Sequence, residues 1–283
     1  MRRIFKNLWA VLRIAVGSFN RKSSWVLSSH IAMSMMLALF PFVLFTVALG
    51  GAVADMFTDQ LDMGELIDLI FAAWPQNVAA PIKDEAFAVL SQSGGGLITL
   101  GALLALYFAS NGVDAIRVAM VAAYGQEETR PFWQRKMICF ALVILGGLGL
   151  LTVAVFELLL PLGALFVARY LPDNLILTQW QSGMNGLLVA SVPLAAVVLY
   201  HLVLPVRRLR LQDIWPGILI TLVGWWGLAF GFALYIGQFA SYSATYAGLA
   251  GAMAALVFLY LNAALLIFGA EVNGAIIKRR GRP

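Results

Sequence analysis

The chain has 283 residues, of which 61% are apolar and only 12% are charged, and its mean hydropathy is +0.87. A soluble domain is closer to half apolar and a quarter charged, so this composition excludes a large water-soluble core and predicts a membrane protein. One cysteine excludes an intramolecular disulfide, and two histidines make a Cys/His metal site a poor expectation.

Residues 1–22 are predicted to form an amphipathic helix lying in the membrane interface. Basic residues occupy one face of the helical pattern, and apolar residues occupy the other, namely Phe5, Leu8, Trp9, Leu12, Val16 and Phe19. Such a helix places its basic side towards lipid headgroups and its apolar side in the acyl boundary. The alternative is a solvated helix that packs on a cytoplasmic loop.

Residues 23–283 are predicted to form one all-α membrane domain of six spans. Long apolar runs place the spans at about 24–53, 94–118, 137–167, 184–205, 214–237 and 244–277. Between the first two, residues 55–93 carry seven acids and one base, which indicates a short periplasmic segment of amphipathic helix.

Prolines and glycines inside the spans predict where the helices bend and where they pack closely. Pro41, Pro161 and Pro193 lie within spans, where each is expected to kink or break the helix. In the fifth span Gly227 and Gly231 form a GxxxG pattern, which together with Gly224 predicts a smooth stripe for close helix contact.

The distribution of basic residues predicts that both termini are cytoplasmic. Every Lys and Arg except Lys83 and Arg169 falls in segments that six alternating spans place on one side of the membrane. This bias follows the positive-inside rule. It also accounts for the net charge of +5, so no nucleic-acid partner is predicted.

Polar groups inside the spans are the candidate functional residues, since such groups are costly in a membrane. The direction of each span brings them towards the cytoplasm, where they are predicted to surround one polar cavity. The candidates are His30, Asn111, Asp114, Arg117, Glu271 and Asn273, with Ser28, Ser29 and His201 as further members. In the alternative, these groups only satisfy one another: Asp114 pairs with Arg117, and Glu271 pairs with Lys278 or Arg117.

Nothing in the pattern predicts catalysis. The signatures of zinc proteases, phosphate-binding loops and serine hydrolases are absent from the sequence. No catalytic residue, metal ligand or cofactor is predicted, and we expect the protein not to be an enzyme.

Three stretches resemble the YihY/BrkB family of bacterial inner-membrane proteins. They are SHIAMSMMLALFPFVLF in the first span, YFASNGVDAIRVAMVAAYG in the second and YAGLAGAMAALVFLYLNAALLIFGAEVNGAI in the last. The resemblance implies a six-helix protein of the cytoplasmic membrane, whose relatives have been labelled both as a serum-resistance virulence factor and as a transfer-RNA-processing ribonuclease. The matching motif residues are His30, Pro41, Asn111, Asp114, Gly269, Glu271 and Asn273.

Three hypotheses of function follow. The first is a transporter, exporter or flippase of an amphiphilic envelope component, with membrane lipids, an anionic lipid or a lipid-linked cargo as the partner. Links between relatives and envelope lipids favour it as an implication of the resemblance. The second is a non-catalytic envelope scaffold, in which the polar set only fixes helix register. The third is a membrane-bound hydrolase or ribonuclease, which the residues do not support.

The predicted topology can be tested by labelling single cysteines in a Cys139→Ala background. A membrane-impermeant maleimide added to intact spheroplasts is expected to label Asp62→Cys and to leave Arg282→Cys unlabelled until the membrane is permeabilised. Labelling of position 282 from outside, or failure to label position 62, would contradict six spans with both termini inside.

Overall fold

The computed structural model describes residues 2–57, 95–168, 190–239 and 249–280, and within these ranges it is helical with no strand. We number its helices α1 to α7 in chain order. They are Arg2–Arg21, Ser24–Phe57, Gly95–Ala123, Phe132–Ala168, Ala190–Val203, Leu211–Phe239 and Leu249–Arg279. The predicted all-α class is therefore confirmed for the described ranges, whereas the predicted periplasmic segment lies almost entirely outside them.

Within the described residues, four helices are long and apolar enough to cross a membrane. The windows are Leu103–Ala123, Phe132–Gly149, Leu211–Tyr235 and Gly251–Arg279. The apolar stretches found in α2 and α5, Ser24–Leu39 and Ala190–Val203, are shorter than 18 residues in the part whose side chains the structure describes. The structure thus supports a polytopic membrane protein, while the count of six spans stays a prediction.

Helix α7 is the central element, because it packs against α1, α2, α3 and α6. Towards its carboxyl end almost every position is buried, including Ala270, Val272 and Ala275. Helix α3 packs against both α2 and α4. The α1–α2 joint, the α3–α4 loop, the α5–α6 loop and the end of α7 meet at one end of the bundle. We call this the basic end, after Lys22, Arg207 and Lys278.

Helix α1 packs on the last turns of α7 rather than standing apart from the bundle. Ala15 is fully buried against Val272 and Ala275. Of the apolar face predicted from the sequence, Phe19 is buried, but Trp9 and Val16 remain exposed. Part of that face therefore holds α1 to the bundle, and part is free for the interfacial role, which stays a prediction.

The prolines do not break the helices that contain them. Helix α2 continues through the buried Pro41 to Phe57, and α4 continues through position 161. The described part of α5 also contains Pro193 within continuous helix. The helices are therefore not interrupted at positions 41 and 161, and the kinks predicted at the three prolines stay predictions.

Helices α6 and α7 cross in close backbone contact at Gly217 and Gly269. A Cβ on Gly217 would lie 2.1 Å from the backbone oxygen of Gly269, and one on Gly269 would lie 2.5 Å from the oxygen of Gly217. The sequence predicted close helix packing at three other glycines of this helix, Gly224, Gly227 and Gly231. A Cβ on Gly224 would meet Leu265, but Gly227 and Gly231 have no atom of the described residues within 4 Å.

Replacing Gly217 with alanine is expected to lower the free energy of unfolding by about 2–3 kcal/mol, since the added methyl group must push two backbones apart. Gly227→Ala is the matched control on the same helix. It meets no described neighbour, and alanine is the better helix former by up to about 1 kcal/mol. Unfolding of the purified variants by sodium dodecyl sulfate in mixed micelles measures the difference; equal stabilities would contradict the close crossing.

Candidate functional site

A cavity of about 920 Å³ opens at the basic end of the bundle. It lies between the α1–α2 joint, the two loops that precede α4 and α6, and the last turns of α7. Its lining residues are Ile14, Ser18, Arg21, Lys22, Ala123, Tyr124, Gly125, Gln126, Glu127, Thr129, Val206, Arg207, Arg208, Leu209, Glu271, Gly274, Ala275, Ile277 and Lys278.

The end of α3 forms one wall of this cavity, and its conformation follows from a glycine. Gly125 adopts a positive φ of 64°. Its N–H bonds the carbonyl of Ala122, and the N–H of Gln126 bonds the carbonyl of Val121, both at 3.0 Å. This is the Schellman arrangement that commonly ends a helix, and it turns the chain sharply into the α3–α4 loop.

Two loops of the cavity wall are bonded to each other by side chains. The Gln126 side-chain oxygen accepts hydrogen bonds from the backbone N–H of Val206 at 2.7 Å and of Arg207 at 3.1 Å. Arg130 donates to the carbonyl of Leu204 at 2.7 Å. The α3–α4 and α5–α6 loops are therefore held in a fixed relation, which defines the width of the cavity between them.

The most buried charge in the cavity is Glu271, which is 2% exposed. Nζ of Lys22 donates a hydrogen bond to Oε2 at 3.2 Å and lies 3.1 Å from Oε1, which has no aligned hydrogen-bond donor. The same ammonium donates to the carbonyl of Ala123 at 2.9 Å. Lys22 thus joins the α1–α2 joint to both α3 and α7. The sequence interpretation paired Glu271 with Lys278 or Arg117, and the structure corrects this to Lys22.

The cavity wall carries an excess of positive charge. Its cations are Arg21, Lys22, Arg207, Arg208 and Lys278, and its carboxylates are Glu127 and Glu271. A concave site lined by one sign of charge concentrates ions of the opposite sign. The arrangement can therefore attract and hold an anionic group.

Asn273 lies on α7 next to Gly274, which lines the cavity, and its side chain forms hydrogen bonds with the start of α6. Its Oδ1 accepts from the N–H of Gly217 at 2.7 Å, and its Nδ2 donates to the carbonyl of Ile214 at 2.8 Å and the hydroxyl of Tyr124 at 3.2 Å. Asn273 therefore acts in helix packing, and burial raises the pKa of the Tyr124 hydroxyl.

A second polar cluster, separate from the cavity, surrounds the buried Arg117. Its Nε donates to Asp114 at 2.7 Å, and its Nη1 pairs with Glu128. Glu128 in turn accepts from the guanidinium of Arg130 at 2.9 Å. The predicted Asp114–Arg117 pairing is confirmed, and it extends through Glu128 into the α3–α4 loop.

The remaining sequence candidates do not reach the cavity either. Asn111 accepts from Nζ of Lys136 at 2.7 Å. His30 is exposed on α2, while His201 is fully buried with its Nδ1 2.9 Å from the carbonyl of Val197. Of the six candidates from the sequence, Glu271 lines this cavity and the other five do not. A single functional cavity that gathers all six stays a prediction.

Several residues of the site were missed by the sequence interpretation. The sequence indicates Lys22 and Arg207 only as topology signals and Lys278 as a topology signal or a partner of Glu271, and it indicates no role for Gln126 or Glu128. The loop sequence GQEETRP contains an indication of these residues, since two acids lie there among segments that are otherwise basic. In the described ranges no three His, Cys, Asp or Glu side chains come together in a way that could hold a metal ion.

The Glu128 cluster predicts a loss of stability in acid. Hydrogen bonds from Arg130, with the charges of Arg130 and Arg117, lower the pKa of Glu128 to about 2 from its ordinary value of 4.5. A carboxyl with a lowered pKa stabilises the folded state fully above pH 4.5, and this contribution disappears as the pH falls towards 2.

Glu128→Gln is expected to cost about 1–2 kcal/mol of stability at neutral pH, after allowance for solvent screening. The difference from the unchanged protein should shrink as unfolding is measured at progressively lower pH between 5 and about 3. Glu127→Gln, one residue earlier on the exposed side of the loop, controls for the loss of a charge. A difference that stays constant with pH would contradict the assigned pairing.

Comparisons with known proteins agree with the resemblance noted in the sequence. The sequence model of the family described as Virulence factor BrkB matches residues 15–283. The chain is 28% identical over 264 residues to a ribonuclease-like protein, YfkH, of Bacillus subtilis, an alignment that covers 90% of this chain and 91% of the relative. It is 23% identical over 280 residues to a UPF0761 membrane protein of Alteromonas mediterranea, covering 96% and 90% respectively. No solved structure matches the chain. Since the family match covers almost the whole chain, the protein belongs to the Virulence factor BrkB family of membrane proteins.

Proposed function

We propose that this protein moves an amphiphilic, negatively charged envelope component across the cytoplasmic membrane, and that the cavity at the basic end receives its headgroup. The observation that carries the proposal is the convergence of five cations and the buried Glu271 on one cavity of about 920 Å³. That volume lies within the range of about 300–1,000 Å³ that is common for ligand pockets.

The surroundings of the cavity suit a molecule with one polar and one apolar end. The cavity wall is charged, whereas the lipid-facing sides of nearby helices are apolar. Trp215, Trp226 and Phe230 of α6 are all more than half exposed, as is Trp9 of α1. Exposed aromatic and aliphatic side chains on membrane helices contact acyl chains at little cost. A headgroup in the cavity could therefore keep its tails in the bilayer.

The position of the basic end sets the proposed side of loading. The residue bias places this end in the cytoplasm by the positive-inside rule. The cargo would then bind from the inner leaflet, which fits an exporter or flippase better than an importer. The proposed location is the bacterial inner membrane.

A non-catalytic envelope scaffold is the second candidate, and specific contacts favour it. Asp114, Arg117 and Glu128 satisfy one another, and Asn273 uses both of its side-chain polar atoms in helix packing. Intramembrane polar groups paired in this way fix the register of helices without any transport step. Only the cavity around Glu271 distinguishes the two proposals.

We further propose that the protein is not an enzyme, although one relative is named ribonuclease-like. His30 is exposed, and His201 and Asp114 have partners elsewhere, so none of these three residues supplies a base at the cavity. RNA cleavage by the purified protein that is lost in Asp114→Ala or His30→Ala would overturn this part of the proposal.

Transport is tested with protein reconstituted into proteoliposomes that contain a fluorescent anionic phospholipid. The double variant Arg207→Gln with Arg208→Gln removes two exposed cavity cations and is expected to slow lipid movement by about tenfold, because a hydrogen bond to a charged group contributes about 1.5–3 kcal/mol. Glu271→Ala is expected to alter the rate as well, since the carboxylate lies inside the cavity.

Two matched controls lie away from the cavity. Arg13→Gln removes an exposed cation of α1, and Asp114→Ala removes a carboxylate that is paired with Arg117. Both are expected to retain the unchanged rate. Wild-type rates in the cavity variants, or an equal loss in the controls, would contradict the proposed headgroup site and favour the scaffold.

A further inference from the structure

We propose that the cavity at the basic end is a binding site for a phosphoryl group, and that Glu271 is an internal anion which the incoming phosphate displaces from Lys22. This inference deepens the proposed function, because it names the chemical class of the headgroup and the side chain with which it competes. The chemistry is shared by a phospholipid headgroup and by free phosphate, and the experiment below separates the two.

The first support is the geometry of Lys22. Its ammonium is fixed from two directions, by the carbonyl of Ala123 at 2.9 Å and by the Glu271 carboxylate at 3.1 and 3.2 Å. The side chain remains 31% exposed and lines the cavity. An ammonium carries three donor hydrogens, so a phosphate oxygen entering the cavity can reach Lys22 by taking the place of the carboxylate.

The second support is the convergence of charge. The positive-inside rule explains why this end of the bundle is basic, but it does not require cations from four separate segments to face one cavity. Arg21 comes from α1, Lys22 from the following joint, Arg207 and Arg208 from the α5–α6 loop, and Lys278 from α7. Arginines hold phosphate with paired N–H groups, and lysines hold it as point charges.

The third support is that Glu271 is the one buried negative charge on this wall. Glu127 also lines the cavity, but it is exposed to solvent. A buried carboxylate among cations occupies the position that an external anion would take, and its Oε1 has no aligned donor. Removal of that charge should therefore favour an external anion, because it frees Lys22 and makes the potential of the wall more positive.

The experiment measures equilibrium binding to the full-length protein in neutral detergent. The probes are inorganic phosphate, short-chain dioctanoyl phosphatidic acid, and dioctanoyl phosphatidylcholine as the zwitterionic comparison. Glu271→Gln keeps the shape of the side chain and removes its charge. It is expected to tighten the binding of phosphate and of phosphatidic acid by about fivefold, the scale of one nearby charge in a partly solvated site.

Substitutions of the cavity cations are expected to weaken the binding of the anionic probes, whereas Glu271→Gln is expected to tighten it. Lys22→Gln is expected to weaken the binding of both anionic probes by about tenfold, and Lys22→Arg to restore most of it. Arg207 is exposed in the α5–α6 loop, and Arg207→Gln is expected to weaken binding by about threefold. Arg13→Gln is the control and should leave binding unchanged.

The outcomes are distinguishable. Tighter binding in Glu271→Gln with weaker binding in Arg207→Gln supports the inference, even if the reconstituted protein moves no lipid and the proposed transport fails. Binding of phosphatidic acid alone assigns the lipid headgroup as the source, and equal binding of phosphate assigns the free anion. Unchanged or weaker anion binding in Glu271→Gln, or equal binding of phosphatidylcholine, overturns the inference whatever the transport assay shows.

Discussion

The crossing of α6 and α7 is the contact on which the basic end depends. Gly217 and Gly269 bring the two backbones so close that neither position has room for a methyl group. At that distance the side chain of Asn273 reaches the backbone of α6 directly. Without the crossing, the α5–α6 loop and the end of α7 would stand apart, and the cavity between them would have no defined wall. Helix association in membranes generally relies on such close packing, because apolar burial gives no drive there.

The charged groups at the basic end form two clusters that differ in their balance of charge. Arg117 forms ion pairs with Asp114 on α3 and with Glu128 in the loop that follows. Arg130 of the same loop donates a hydrogen bond to the carbonyl of Leu204. Around the cavity the balance is different, since cations exceed carboxylates, and the buried Glu271 interacts with both Lys22 and Arg21. Charged groups that pair with one another stabilise the fold, whereas an excess of one sign in a concave surface attracts ions of the opposite sign.

Sequence patterns predicted the helices well because long apolar runs and charge bias are local signals. The predicted limits of the fifth span, 214–237, lie close to the observed Leu211–Phe239. The site was harder, because it depends on which loops meet in space. Nothing near Glu271 in the sequence indicates Lys22, since the two are brought together only when α1 packs on α7. In the same way, the pattern favoured Gly227 and Gly231, whereas the packed glycine of α6 is Gly217, beside a proline.

The hydrogen bond from Lys22 to the carbonyl of Ala123 affects how much side-chain entropy would be lost when an anion binds. Ala123 is the last residue of α3, where the partial negative charge of the helix end attracts a cation. A free lysine has many rotamers and loses about 2 kcal/mol of entropy when a ligand immobilises it. Here the helix terminus has already selected one orientation, so an arriving anion meets a donor that is held in place beforehand. The selectivity of the cavity would then depend more on the shape of the bound anion than on the entropy lost when the Lys22 side chain becomes ordered.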